Sequence, residues 1–208
     1  MAVNPPPLQR IDPAAPAPAL VAAAAAALLA GELIVLPTET VYGLAADPRN
    51  PAALARIFEA KGRDAGKPVA LLISDPAQLA GEGASFPPVA RRLAGAFWPG
   101  PLTLVLDGPA GTIGVRWPDH PVPLAVIRRF GRPIGATSAN RSGEPEARTA
   151  AEAAAALGAT VALILDGGPV HEMAPSTVVR VEASGAWRVL RAGAIPAEKI
   201  QAVAEAAD

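Results

Sequence analysis

The chain has 208 residues, a formal net charge of −1 and no cysteine; 51% of its residues are hydrophobic, 4% aromatic and 18% charged. That length suits one domain or a compact pair, able to bury a core without disulfide or metal staples. The missing thiols exclude disulfides, thiolate zinc sites and a cysteine nucleophile and fit a cytoplasmic protein; two histidines argue against a His-rich metal centre, and the balanced charge against non-specific binding to a phosphate backbone.

Residues 1–18 are Pro-rich and unpatterned, and read as an extended tail or a strap over the surface. Leu20–Ala30, closed by Gly31, is a helix of small apolar residues. It is too short to span a bilayer, and its flanking Asp12 and prolines argue against a signal peptide. Because 49 residues are alanine, the apolar share is inflated, and the core must come from Leu, Val and Ile runs. The run at 33–37 is a short buried strand ended by Pro37. Pro51–Ala60 has helical spacing, Val69–Ile73 is a second buried strand, and Asp75-Pro76 opens a short helix. Pro88–Phe97 is a helix, then a Trp98-Pro99-Gly100-Pro101 break precedes the strand Leu102–Leu106, and Ile113–Arg116 continues the sheet. Val122–Phe130 is a helix, Pro133–Ala136 a strand and Thr149–Leu157 a helix. Val161–Leu165, Ser176–Val181 and Trp187–Leu190 are strands, and Ile195–Ala207 is a closing helix with Pro196 in its first turn. Helices and strands mix without a regular βαβ rhythm. The expected fold is therefore α/β (α+β by some schemes): one three-layer domain over residues 19–208 with a large twisted mixed sheet flanked by helices, and no second C-terminal domain.

Four loop segments carry polar residues that a core does not need. Thr38-Glu39-Thr40 follows a buried strand, where α/β sheets place ligands, though such a triplet also caps helices and makes turns. Lys61-Gly62-Arg63-Asp64-Ala65-Gly66-Lys67 sets three cations and two glycines between a helix and a strand. That composition suits oxygen anions such as phosphates, and equally a solvated run at a helix end; it lacks the Gly-Lys-Ser/Thr spacing of a Walker loop. Arg116, with Thr112 upstream, ends a strand and could grip a carboxylate or phosphate. Thr137-Ser138-Ala139-Asn140 offers small hydroxyl and amide groups to a nucleotide, or simply a turn. Asp166-Gly167-Gly168 reads as a structural turn, Trp98 and Trp187 as packing, and His120 as a loop residue rather than a base. Neither a Ser/His/Asp arrangement nor a carboxylate pair supports hydrolase chemistry.

Taken in order, LPTETVYGLAAD (36–47), KGR (61–63), FWPGPLTLVL (97–106), GVRWPDHP (114–121), TSANRSGEP (137–145), STVV (176–179) and VLRAGAI (189–195) strongly resemble the YrdC-like family of threonylcarbamoyl-AMP synthases, over roughly residues 20–200. Its hallmark, Lys-x-Arg followed by Ser-x-Asn, is met by Lys61/Arg63 and Ser138/Asn140. The resemblance implies a concave, positively lined sheet face and an enzyme that joins L-threonine, bicarbonate and ATP into threonylcarbamoyl-AMP, releasing pyrophosphate. It implies Mg²⁺ with the ATP, no protein metal site, and a partner transferase complex that modifies an adenosine beside the tRNA anticodon, with direct tRNA contact left open and no membrane. By the same resemblance Lys61 and Arg63 are the catalytic residues. Lys61, Arg63, Lys67, Thr112, Ser138, Asn140 and Arg191 bind ATP; Thr40, Arg116 and Ser176 bind threonine. Asp64 stands where a proline often follows the Lys-x-Arg, and Ala192 where one often follows Arg191. Asp64 motivates one alternative, a paralogue with another carbamoyl substrate; a non-enzymatic RNA-binding module is the second.

Overall fold

The computed structural model describes residues 8–62, 69–170 and 174–206. Ten strands form one mixed sheet in the order β1-β8-β2-β3-β7-β4-β6-β5-β9-β10. In chain order they are β1 (Leu8–Arg10), β2 (Ile34–Leu36), β3 (Gly43–Ala46), β4 (Ala70–Leu72), β5 (Leu102–Gly108), β6 (Gly111–Arg116), β7 (Ile134–Ser138), β8 (Leu163–Asp166), β9 (Thr177–Val181) and β10 (Trp187–Arg191). The helices are α1 (Pro18–Leu29), α2 (Pro51–Lys61), α3 (Gln78–Glu82), α4 (Pro88–Phe97), α5 (Pro121–Phe130), α6 (Ala150–Leu157) and α7 (Ala197–Ala204).

Side-chain alternation divides the sheet into two faces. On one, Leu33, Val35, Leu44 and Ala46 pack under α2 and α6, while Leu71, Ile73, Leu104, Leu106, Val115 and Val179 pack under α3, α4 and α7. On the other, Ile34, Leu36, Ala45, Leu72, Ile134 and Ala136 lie beneath α1 and α5. That second face has helices over only part of its width, and the section built from β6, β5 and β9, with the Ala70 end of β4, stays open. The expected three layers are therefore present, with one of them incomplete, and the gap is where the cavity forms.

Local chemistry accounts for the helices. Three start with Pro at N1 or N2 after a side-chain or extended cap: Asn50 accepts from Ala52 and Ala53, His120 accepts from Val122, and Pro87 precedes α4. Thr149 and Glu152 make a reciprocal capping box on α6. α5 buries Val122, Val126, Ile127 and Phe130 on one stripe, each worth about 1.5–3 kcal/mol of apolar burial. No helix among the described residues is long and apolar enough to cross a membrane.

Two strands are absent from the sequence reading. Leu8–Arg10, within the unpatterned tail, adds to the sheet edge parallel to β8, and Ile11 after it is buried. Gly43–Ala46 is a run of small residues with little intrinsic strand preference; it is a strand because β2 and β7 satisfy its backbone on both sides.

Candidate active site

A cavity of about 290 Å³ opens on the uncovered part of the sheet. Its floor is made of short side chains in register across the strands. Ala136 of β7 stands opposite Ala70 of β4, and Gly114 of β6 opposite Val105 of β5. A Cβ at Gly114 would meet the Ala70 methyl at 3.4 Å, so this row is low where its neighbours are tall. Hydroxyl and charged groups stand around it: Thr38, Thr40, Thr103, Thr137, Ser138, Ser176, Arg116, Arg191 and Glu146.

Each group is fixed by its element. Thr38 and Thr40 occupy the turn between β2 and β3, where the Thr38 hydroxyl donates to Val41 O (2.6 Å) and accepts from the amides of Thr40 and Val41 (3.2 Å each). The turn and the cavity wall are thus the same residues. Arg116 ends β6; its Nε donates to Gly100 O at 3.2 Å and its Nη2 lies 2.7 Å from Glu39 Oε1. Thr103 of β5 and Ser176, just before β9, share a buried hydroxyl–hydroxyl bond of 2.8 Å. Arg191, ending β10, donates through Nη2 to Ser176 O (2.9 Å) and Ser176 Oγ (3.1 Å), and its Nη1 is 3.9 Å from Glu146. This approach needs a bare backbone at Gly193, where a Cβ would meet Pro175 O at 2.3 Å.

Lys61 lies behind the wall. Gly62, in the left-handed region at φ 57°, ends α2 immediately after it. The buried ammonium donates to Ser138 O, to Asn140 O (2.6 Å) and to Asn140 Oδ1 (3.3 Å). Asn140 continues the network through Nδ2, which donates to Arg141 O (3.0 Å) and Glu144 O (2.7 Å). The Lys-x-Arg and Ser-x-Asn motifs, distant in sequence, are therefore physically joined, with lysine clamping the strand end that carries the serine.

Of the residues singled out from sequence, Thr40, Arg116, Ser138, Ser176 and Arg191 line one cavity. Lys61 and Asn140 hold its wall from behind. Thr112 is exposed at the hairpin end of β6; by alternation it shares the face of Gly114 and Arg116 but lies outside the lining. Arg63 and Lys67 lie outside the described residues. The expected positive lining is balanced where it is described, because Arg116 faces Glu39 and Arg191 faces Glu146. Sequence reasoning passed over Thr103 and Glu146, whereas Thr137 belongs to the 137–140 segment read as a nucleotide contact or a turn. Thr103 had a signal: Leu102, Leu104 and Leu106 point into the core, so the hydroxyl between them belongs to the opposite face. His120 is a helix cap, its Nδ1 accepting from Val122 N at 3.2 Å. Burial pushes its imidazole below the ordinary value, against the pull of Glu39 and Asp119. The Asp166-Gly167-Gly168 turn is structural, as expected: Asp166 accepts from Gly168 N, and the buried Tyr42 hydroxyl donates to Gly168 O at 2.6 Å.

An open mixed α/β sheet with a concave cavity lined by hydroxyl groups and arginines has the form of a small-molecule site. The chain belongs to the Sua5/YciO/YrdC family, whose model, described as "Telomere recombination", matches residues 26–193. It is 43% identical to threonylcarbamoyl-AMP synthase of Bacillus subtilis over 194 residues, 88% of this chain and 56% of that one. It is 40% identical over 194 residues to a putative threonylcarbamoyl-AMP synthase of Mycobacterium tuberculosis, covering 88% of each. The structure of Sua5 from P. abyssi complexed with L-threonine superposes with a TM-score of 0.89 at 36% identity, over 95% of this chain and 60% of that one. The chain thus spans little more than half the length of some relatives and most of others.

Proposed function

We propose that the protein synthesises threonylcarbamoyl-AMP from L-threonine, bicarbonate and ATP. The amine nitrogen of threonine bonds to the carbonate carbon with loss of water. An oxygen of the resulting carbamate attacks the α-phosphorus, the bond to the β-phosphate oxygen breaks, and pyrophosphate leaves. None of these steps needs a covalent enzyme intermediate; they need positioning and charge stabilisation. The observation that carries the reading is the convergence of Thr40, Arg116, Ser138, Ser176 and Arg191 on one cavity. It is supported by a relative of known structure that binds L-threonine.

In this reading Arg116 takes the threonine carboxylate, with Thr40 and Ser176 beside it. Ser138, Arg191, Thr112, Arg63 and Lys67 serve the nucleotide. Lys61 contributes by holding Ser138 and Asn140 in place, and its charge stands close behind the reacting groups. ATP is used as its magnesium complex, with the ion held by phosphates and water; no group of three His, Cys, Asp or Glu side chains gathers to hold a metal among the described residues. The product is handed, in the cytoplasm, to a transferase acting on tRNA.

The test incubates the full chain with ATP, bicarbonate and each amino acid in turn and follows pyrophosphate. Release that depends on threonine and bicarbonate is expected. Release with a different amine, or none, overturns the assignment.

A further inference from the structure

Among the described residues, Glu39 is the acidic residue paired with Arg116. Its Oε1 lies 2.7 Å from Arg116 Nη2, yet both carboxylate oxygens and Nη2 are buried and out of hydrogen-bond alignment. The contact is ionic. Arg116 itself is 7% exposed and faces the cavity, whereas Glu39 does not line it. His120, whose charge acts with those of Glu39 and Asp119, is held toward its neutral form by burial. An unscreened buried guanidinium at a cavity wall would attract any anion, multivalent phosphates first. A guanidinium with a buried carboxylate behind it carries no net charge and presents a fork rather than a field.

We infer that Glu39 is a specificity-determining residue: by cancelling the charge of Arg116 it lets the amino-acid subsite accept a zwitterion and refuse phosphate-like anions. This rests on the reading of Arg116 as the partner of the amino-acid carboxylate. The need is built into the chemistry, because the enzyme binds a triphosphate and releases pyrophosphate beside that subsite. Either anion would otherwise compete for the same guanidinium. Such discrimination works through an opposing charge rather than an added contact. Glu39 also fixes the fork, since Arg116 is held by Glu39 on one side and Gly100 O on the other.

The test compares the wild-type chain, Glu39→Gln, Glu39→Asp and the double variant Glu39→Gln/Arg116→Gln by calorimetry with sulfate and with L-threonine. Glu39→Gln keeps the shape and removes the charge. It is expected to bind sulfate at least about tenfold more tightly, in competition with threonine, and threonine about tenfold more weakly. The sulfate gain disappears in the double variant. Glu39→Asp, with the carboxylate drawn back by one methylene, gives a smaller gain in the same direction and serves if the Gln variant does not fold. A structural role alone would lower the melting temperature and leave the sulfate-to-threonine ratio unchanged. That ratio, or a gain that persists without Arg116, overturns the inference. If wild type binds no threonine, the functional reading falls, while the sulfate comparison still decides the role of Glu39.

Discussion

Replacing Lys61 with methionine separates the clamp from the stem that carries it. The stem volume is nearly kept, so any loss reports the ammonium. Three acceptors, Ser138 O, Asn140 O and Asn140 Oδ1, lose their common donor. Hydrogen bonds to a charged group contribute about 1.5–3 kcal/mol each, but rehydration of the ammonium in the unfolded chain offsets part of that sum. A net loss of about 3 kcal/mol follows from leaving at least two buried carbonyls without a partner, at roughly 1–3 kcal/mol apiece. For a domain of this size that corresponds to a fall of about 6–12 °C in melting temperature. Because the clamp released holds the end of β7 at Ser138 and the turn that follows it, turnover is expected to fall at least about 100-fold even where the variant is fully folded. Circular-dichroism melts and pyrophosphate release measured on one preparation check both numbers. A melting temperature within about 2 °C of wild type would refute the clamp. A normal rate in a destabilised variant would show that this segment is braced by Lys61 but does not depend on it for chemistry.

Three further outcomes are expected. Arg116→Lys loses the planar fork while keeping the charge, and should raise the threonine KM at least about tenfold with a smaller change in kcat; equal loss in both parameters would contradict a ground-state binding role. Burial pushes the Asp47 carboxyl up, but Arg132 at 2.7 Å and the Arg49 amide outweigh it and hold the group below its ordinary value. A carboxyl depressed on folding contributes stability above its unfolded pKa and loses it as pH falls through the folded one. Asp47→Asn should therefore be destabilised in urea melts at pH 7 and converge with wild type below about pH 4; a pH-independent gap would rule out the ion pair as the cause. Tyr42 is the single tyrosine, and burial together with the charge of Asp166 raises its phenol pKa. Absorbance of phenolate should appear only as the protein unfolds in alkali, and an ordinary reversible titration near pH 10 would contradict the buried bond to Gly168 O.

How far the molecule was legible depended on what each feature rests on. Pro88–Phe97 matches its helix end for end, because apolar spacing and a proline start are local signals. Gly43–Ala46 was missed because its strand character comes from two neighbours rather than from its residues. The site divides in the same way. Arg116 and Ser138 were flagged as polar groups at strand ends, and both line the cavity. Glu146 was not, since a surface-like glutamate in a loop carries no mark until the fold sets it 3.9 Å from Arg191.

By itself the sequence determined the class: a thiol-free α/β chain with buried Val, Leu and Ile runs, cations near 61–67 and a Ser-x-Asn loop, ordered like one family. It also fixed local devices such as the Thr149 capping box and the Gly62 helix stop, which need only a few adjacent residues. Only the tertiary structure decided that helices leave one section of a sheet face open, that Lys61 braces the Ser138 end of β7 from behind, and that each described cavity arginine stands against a glutamate. Those are through-space relations between segments up to about a hundred residues apart. Net charge near zero hid them, because a composition sums charges and a fold pairs them.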